Sequence, residues 1–564
     1  MATSRDYVSI ARQYASDVCD GVIPACKWVK LACKRQIDDL KKYARTGAYE
    51  WSNDEANRVC RFVELLTHTK GELAGQRIHL EPWQVFILST AFGWRRRNDV
   101  GRRFRRVYIE VPRGNGKSSL SSGVALYCLV ADREPGAEVY SFATTRDQAK
   151  IVFGDAKVMA EQNAQLREKF GLQVLANSLY VPKTNSTFQA KSAEGSTLDG
   201  LNTHLAVVDE LHAHKTRAVY DVVETSLGKR RSSLLWCITT AGFDTSGICY
   251  EVRTMSTKVL EGSAEDETQF AIIYTIDESD DWTSLEALEK ANPNWGVSVR
   301  PEMITSLLKK AKALPSAVNN FKTKHLDVWC AASAAWMDMQ VWNDCEDCSL
   351  DLSDFEGQRC WIGLDLGAKN DVTAKVRIFN YKEGFATFPE FYLPELTVEK
   401  STNSQYIGWA SEGLITTTDG AMTDLRVIEA GLREDLSRFD VQAIGFDPWN
   451  ALTLASTLGS DGAPMVEYRA TVEKFSDPMK QVEAMAQDGK LFHDGNPVLR
   501  WMMGNVVAKL DAKDNIFPRK ERYENKIDGV VALIMAIGLA GSPSEQENKF
   551  AGIEEQGESI FFSY

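Results

Sequence analysis

Val107 to Ser119 reads V-Y-I-E-V-P-R-G-N-G-K-S-S, an apolar strand running into a glycine-rich turn that ends Gly116-Lys117-Ser118. A turn of this composition is suited to phosphate. Glycines let backbone N–H groups close round phosphate oxygens, a lysine reaches the β- and γ-phosphates, and a hydroxyl can hold Mg²⁺. Arg113, Gly114, Asn115, Gly116, Lys117, Ser118 and Ser119 therefore form a candidate cradle, and the helix expected from Lys117 adds its positive dipole end. The first glycine of the usual pattern is absent, with Val111 in its place, so this is a variant loop.

Working outward, Leu205-Ala-Val-Val-Asp-Glu210 has the composition of a buried strand ending in two carboxylates. In phosphate-loop enzymes that strand is expected beside the loop strand, with Asp209 on Mg²⁺ and Glu210 polarising the attacking water. A further buried strand, Leu234 to Gly242, ends in Thr239 and Thr240, hydroxyls suited to sensing the γ-phosphate. Upstream, Glu81-Pro82-Trp83-Gln84 offers an aromatic face and an amide to an adenine, or else a buried tryptophan at a helix start. Arg146 follows the strand 137–143 and is a candidate for γ-phosphate sensing or DNA contact. Leu172 to Ala190 reads as short antiparallel strands, and His212 and His214 as surface residues. Strands alternating with helices define an α/β fold whose first catalytic part is a P-loop, RecA-like ATPase domain with a parallel-rich sheet.

The remaining composition is that of an ordinary globular chain. Its 564 residues suit roughly two to four domains. No apolar run long enough to span a bilayer and no signal-peptide pattern is present, so a cytoplasmic protein without a membrane partner is expected. Eleven scattered cysteines suit reduced, buried thiols, and Cys345-Glu-Asp-Cys348 reads as linker. Net charge is −13, yet residues 93–107 concentrate arginines. They suit a solvated hairpin, contact with DNA phosphates, or contact with a neighbouring subunit's nucleotide.

The second half carries different chemistry. Trp361 to Gly367 is a strand with Asp365 at its middle, Val372 to Phe379 its hairpin partner, and Phe385 to Tyr392 a third strand. Val441 to Asp447 is a buried strand ending in a carboxylate, and Asn525 onward is an apolar helix with Asp528 in its first turn. Three aspartates in that order suit a ribonuclease-H-like α/β nuclease domain, in which two Mg²⁺ or Mn²⁺ ions about 4 Å apart must be held. Asp371 is a possible fourth ligand, while each aspartate alone would also serve as a cap or turn former. The expected boundaries are a helical segment 1–70, the ATPase 71–330, a linker 331–358, the nuclease 359–541 and a flexible tail 542–564.

Taken in order, E-P-W-Q, V-P-R-G-N-G-K-S, A-T-T-R-D-Q-A, V-V-D-E-L-H, T-T-A-G, G-L-D-L-G, G-F-D-P-W and K-I-D-G-V resemble the large terminase subunit of tailed bacteriophages. The resemblance covers the chain from about Gly21 to Gly541. It implies a motor that uses ATP to drive duplex DNA into a procapsid and a nuclease that cuts concatemeric genome. It also implies a small terminase subunit and a portal ring as partners, a homo-oligomeric ring on the portal, and residence in the host cytoplasm. An arginine finger is a further implication, with Arg113, Arg146 and the arginines before the loop as candidates. A repair-type helicase-nuclease, or a structural DNA-binding protein with dead sites, would be the alternatives. The first lacks a second motor domain between Gly242 and Trp361, and the second would not keep Lys117, Glu210 and all three aspartates.

Overall fold

The computed structural model describes residues 5–541 apart from 100, 145, 193–199, 331–335, 368–370, 402, 404, 512–514 and 522–524. The expected tail 542–564 and most of the glycine-rich stretch before Leu201 lie outside the described residues. The chain divides into two compact units, Met1–Ser333 and Ala334–Tyr564.

Helices α1 (Tyr7–Cys19), α2 (Lys27–Lys42) and α3 (Asn53–Val63) open the first unit, separated where Gly21 and Pro24 break the apolar periodicity. They are not a body apart, since Val18, Val29, Cys33, Val59 and Val63 share one core with the sheet that follows. Helix α4 (Pro82–Gly93) starts on a capping box in which Glu81 and Gln84 bond each other's backbone, with Pro82 in the first turn. Strands β1 (Tyr49–Trp51) and β2 (Trp94–Arg96) form a small antiparallel pair.

The main sheet contains β3 (Arg106–Glu110), β4 (Glu138–Ala143), β5 (Gln173–Val174), β6 (Ser178–Val181), β7 (Ser186–Ser192), β8 (Thr203–Asp209), β9 (Leu234–Thr239) and β10 (Gln269–Ile273). Their order is β10-β3-β9-β8-β4-β7-β6-β5, parallel from β10 to β7 and antiparallel at the β7-β6-β5 edge. Every residue of β8 and β9 is buried, as strands covered on both faces require. One expectation fails here: the carboxylate strand β8 is not beside the loop strand β3, because β9 is inserted between them. Helices α5 (Lys117–Val130) and α6 (Arg146–Gln162) pack over β4 and β7, and α7 (Pro315–His325) closes the unit.

The second unit is a sheet of order β14-β13-β12-β11-β15-β16, with β17 (Leu491–His493) also on β13. Strands β11 (Arg359–Asp365), β12 (Thr373–Tyr381) and β13 (Gly384–Pro394) form the antiparallel meander, and β14 (Thr416–Thr418), β15 (Asp440–Phe446) and β16 (Met465–Glu467) flank it. A separate hairpin joins β18 (Val506–Leu510) to β19 (Ile516–Lys520). Asp365 ends its strand instead of standing in the middle of it. The meander face carries Lys375 and Arg377, which share Asp435 of α8 (Leu425–Arg438) and Glu390 of β13 at 2.5 to 2.9 Å. Two further helices, α9 (Pro448–Ser460) and α10 (Val472–Gln487), precede the apolar α11 (Asp528–Ala540). Helix α11 crosses β11 and β12 so closely that a Cβ on Gly363 would lie 1.8 Å from Ala532 O. The segment expected as a linker is part of this core, because Trp336, Met337, Trp342 and Cys345 are buried in it.

Candidate functional site

Strands β3, β9 and β8 end together, and their register sets Glu110 opposite Thr239 and Ile238 opposite Asp209. The glycine-rich turn leaves β3 there. Gly114 and Gly116 have φ of 88° and 75°, left-handed values that a side chain would resist, and Gly116 caps α5. Lys117 Nζ lies 3.5 Å from Glu210 Oε1, and Ser118 Oγ donates to Asp209 Oδ2 at 3.5 Å. Lys, Ser, Asp and Glu from two distant stretches thus converge as the sequence implied. Ser119 is half-buried in the third position of α5.

Asn115 is turned away from the turn's open side. Its Nδ2 donates to Pro112 O at 3.1 Å and Asn292 Oδ1 at 3.0 Å, and its Oδ1 accepts from Asn294 N at 3.0 Å. Ser298 Oγ donates to Gly114 O at 2.6 Å, so the turn 292–298 braces the loop from outside. Trp83 belongs to the same brace: it is buried, its Nε1 donates to Asn294 Oδ1 at 2.6 Å, and its ring meets Tyr274 edge-on. No ring face is presented for an adenine. Gln84 Oε1 accepts from Glu81 N at 3.0 Å, while its Nε2 comes 3.8 Å from where a Cβ on Gly116 would be. Arg113 is exposed, with its backbone N–H donating to Lys324 O at 3.0 Å. Arg146 opens α6, but its side chain lies outside the described residues.

The two carboxylates are held differently. Burial and the neighbouring Glu210 push Asp209 up to about 7. Burial would also raise Glu210, but contact with His212 and the charges of Lys117 and Lys324 hold it at about 2. Glu210 has φ 48°, an uncommon left-handed value for a side-chain-bearing residue at a strand end. His212 and His214 are not surface residues as expected. His214 is buried, which depresses it to about 4. His212 Nδ1 stands 3.2 Å from Glu210 Oε2 and 3.1 Å from Thr239 Oγ1, linking the two strand ends. Thr239 and Thr240 are both buried, and Thr240 Oγ1 has no hydrogen-bond partner. The signal for His212 was its two-residue offset from Glu210 after a strand end, where a short turn folds the side chain back.

The arginine-rich stretch does turn back as a hairpin, Arg95 bridging Arg102 with Arg97 exposed, but most of its arginines are paired inside the fold instead of solvated. Arg102 and Arg103 are fully buried, Arg102 on Asp132 at 2.6 Å and Arg103 on Asp39 at 2.8 Å and on Glu267. Arg95 meets Glu55 at 2.6 Å, and Arg106 meets Glu224 at 2.6 Å and Asp266 at 2.7 Å. Cys128, Asp132 and His204 form the one group of three ligand atoms within 4.8 Å among the described residues. It does not suit a metal, since Arg102 already places a permanent cation on the Asp132 oxygen that His204 shares at 2.7 Å.

In the second unit, the parallel register Leu364 to Phe446 carries Asp365 and Asp447 to equivalent ends of neighbouring strands. Helix α11 brings Asp528 over the same edge. Burial and the carboxylates of Asp528, Asp447 and Asp371 push Asp365 well above the ordinary range, and burial with Asp371 pushes Asp528 up to about 6. Asp528 Oδ2 is buried with no hydrogen-bond partner. Acid groups that repel one another around an orphaned oxygen fit a divalent cation. Asp447 also caps α9, accepting from Trp449 N and from Ala470 N, each at 3.0 Å. Asp371 is paired instead with Lys526, and Lys520 stands 3.9 Å away.

A family model described as the terminase large subunit ATPase domain matches residues 82–258, and one described as its endonuclease domain matches residues 263–543. Protein YmfN of Escherichia coli strain K12 is 40% identical over 375 residues, covering 64% of this chain and 82% of its own. The terminase large subunit of Enterobacteria phage HK97 is 27% identical over 504 residues, 87% of this chain and 97% of its own. A crystal structure of the HK97 large terminase aligns with a TM-score of 0.43 at 26% identity, covering 86% of this chain and 99% of that one.

Proposed function

The chain belongs to the terminase large subunit family, an ATPase joined to an endonuclease, and from that premise we propose how its own residues carry the two reactions. ATP lies with its phosphates in the turn 113–118. Lys117 reaches the β/γ-phosphates, Ser118 and Asp209 hold Mg²⁺, and Glu210 takes the proton of the attacking water. Lys117 Nζ lies 3.5 Å from Glu210 Oε1, so the lysine offered to phosphate also neighbours the carboxylate that takes the proton. His212 stands 3.2 Å from Glu210 and is hydrogen-bonded to Thr239 at 3.1 Å, which ties phosphate release to the end of β9. Arg113 and Arg146 are the arginines offered to the γ-phosphate, in their own subunit or a neighbour's. Trp83 and Gln84 brace the turn beneath the nucleotide.

In the second unit Asp365, Asp447 and Asp528 hold Mg²⁺ or Mn²⁺ ions, and Asp371 orders Lys526 beside them. Bound cations supply electrostatic stabilisation of the leaving phosphate oxygens and a more acidic attacking water. Duplex DNA is what the nuclease cuts and what ATP hydrolysis moves through a portal ring, driven by a homo-oligomeric ring of this chain. A small terminase subunit selects the packaging site, all in the host cytoplasm. Among the described residues no helix is long and apolar enough to cross a membrane.

The observation that supports this reading is that each unit gathers groups suited to a cation, Ser118 on Asp209 in the first and Asp365 beside Asp528, Asp447 and Asp371 in the second. Crystals soaked in Mn²⁺ with a non-hydrolysable ATP analogue test it through anomalous scattering. Peaks are expected beside Asp209 and beside Asp365, and a soaked crystal with nucleotide bound but no peak at either position would refute the ligand assignments.

A further inference from the structure

Trp449 is 85% exposed, the most exposed large hydrophobic side chain among the described residues. Leu452, three positions on and so on the same helix face, is 62% exposed, whereas Ala451, Leu454, Ala455 and Leu458 of α9 are buried. The tryptophan is also held firmly. Pro448 opens the helix, and Asp447 Oδ1 accepts the Trp449 N–H at 3.0 Å while Oδ2 accepts that of Ala470. The carboxylate proposed to hold a cation therefore fixes the helix start that displays the indole.

Two residues of chain span at most about 7 Å, so any backbone whose phosphate is cut at Asp447 passes within reach of Trp449. A protein seated on the indole would cover Asp447 and shut out the substrate. Arg469, beside Ala470, is 67% exposed and pairs with Glu467, and Lys520, about a third exposed, stands 3.9 Å from Asp371. An exposed aromatic beside the carboxylates, with the partly exposed Arg469 and Lys520 in the same unit, suits a nucleic-acid backbone with bases or sugars against the ring. Resting on the nuclease reading above, we propose that Trp449, backed by Leu452, is a wedge that packs against the base or deoxyribose edges next to the scissile phosphate of duplex DNA. It holds that phosphate over Asp365, Asp447 and Asp528.

The test is steady-state cleavage of a duplex by the full chain in Mn²⁺, for wild type, Trp449→Ala, Trp449→Phe and Asp447→Ala. A 2-aminopurine base beside the cut reports unstacking by its fluorescence. Losing one stacked contact corresponds to a rise of about 5- to 150-fold in KM for DNA in Trp449→Ala, with the saturating rate changed far less. Trp449→Phe is expected to restore most of the affinity, and the fluorescence rise on binding to be lost only in the alanine variant. Wild-type KM and fluorescence in Trp449→Ala, with Asp447→Ala inactive, would overturn the wedge while leaving the nuclease reading intact. Cleavage that persists in Asp447→Ala would instead sink the reading on which the wedge rests.

Discussion

Gly363→Ala probes the nuclease geometry without touching a carboxylate. An added Cβ would sit 1.8 Å from Ala532 O, 2.7 Å from Ala532 C and 3.1 Å from Ala536 N, all backbone atoms of α11. Backbone cannot rotate out of the way as a side chain can. Bringing the shortest contact to the roughly 3 Å that real Cβ atoms tolerate requires β11 and α11 to part by about 1.2 Å. Asp365 lies two residues beyond Gly363, and Asp528 one helical turn before Ala532. The separation therefore falls between two proposed ligands. Overpacking of this kind costs about 1–3 kcal/mol, and a misplacement near 1 Å costs a reaction about a hundredfold in rate. Plasmid cleavage in Mn²⁺ should fall by about that factor, with a lowered melting transition for the second unit and unaltered ATP turnover. Wild-type cleavage with an unshifted transition would refute the close packing of α11 on β11 as the element that sets the spacing.

Other expectations follow from the same geometry. Glu210→Gln keeps the shape of the site but removes the proton acceptor, so ATP turnover should drop by about 10²- to 10⁴-fold while nucleotide binding, followed by fluorescent ATP, persists. Arg102→Ala leaves the fully buried Asp132 with His204 in place of a permanent cation and should destabilise the first unit by about 3 kcal/mol in urea unfolding. For Glu390, burial would raise the carboxyl, but Lys375 and Arg377 outweigh it and hold it at about 2 against an ordinary 4.5. A depressed acid stabilises the folded state above its unfolded pKa. The stability difference between wild type and Glu390→Gln should accordingly be full above about pH 5 and shrink as pH falls from 4.5 toward 2. A difference that stays constant over that range would show the ion network contributes nothing through this carboxylate.

What was legible in the sequence was what lies within one short stretch. The turn 113–118 and the strand ends at Asp209, Thr239 and Asp447 could be read because strand, turn and helix start are contiguous in the chain, whereas the strand end at Asp365 was hidden by the apolar Leu366 that follows it. The arginines of 93–107 were misread because their partners Asp39, Asp132 and Glu267 are distant in sequence, and without partners an arginine-rich stretch looks solvated. Trp83 was open to two readings for the same reason: its partner Asn294 lies 211 residues away. Strand order was beyond reach, since β3, β8 and β9 are all short apolar strands and nothing local to any of them says which lies between the other two. The segment 331–358 looked like a linker for its small residues and its acidic run to Glu356, although Trp336 and Trp342 anchor part of it in the second core.

The central claim is that one chain carries two separate reaction centres, Glu210 in the first unit and Asp365 in the second. Purified wild type, Glu210→Ala and Asp365→Ala, assayed side by side for ATP hydrolysis and for plasmid cleavage in Mn²⁺, test it most directly. Glu210→Ala should lose only hydrolysis and Asp365→Ala only cleavage. Cleavage that survives Asp365→Ala, or hydrolysis that survives Glu210→Ala, would contradict the account.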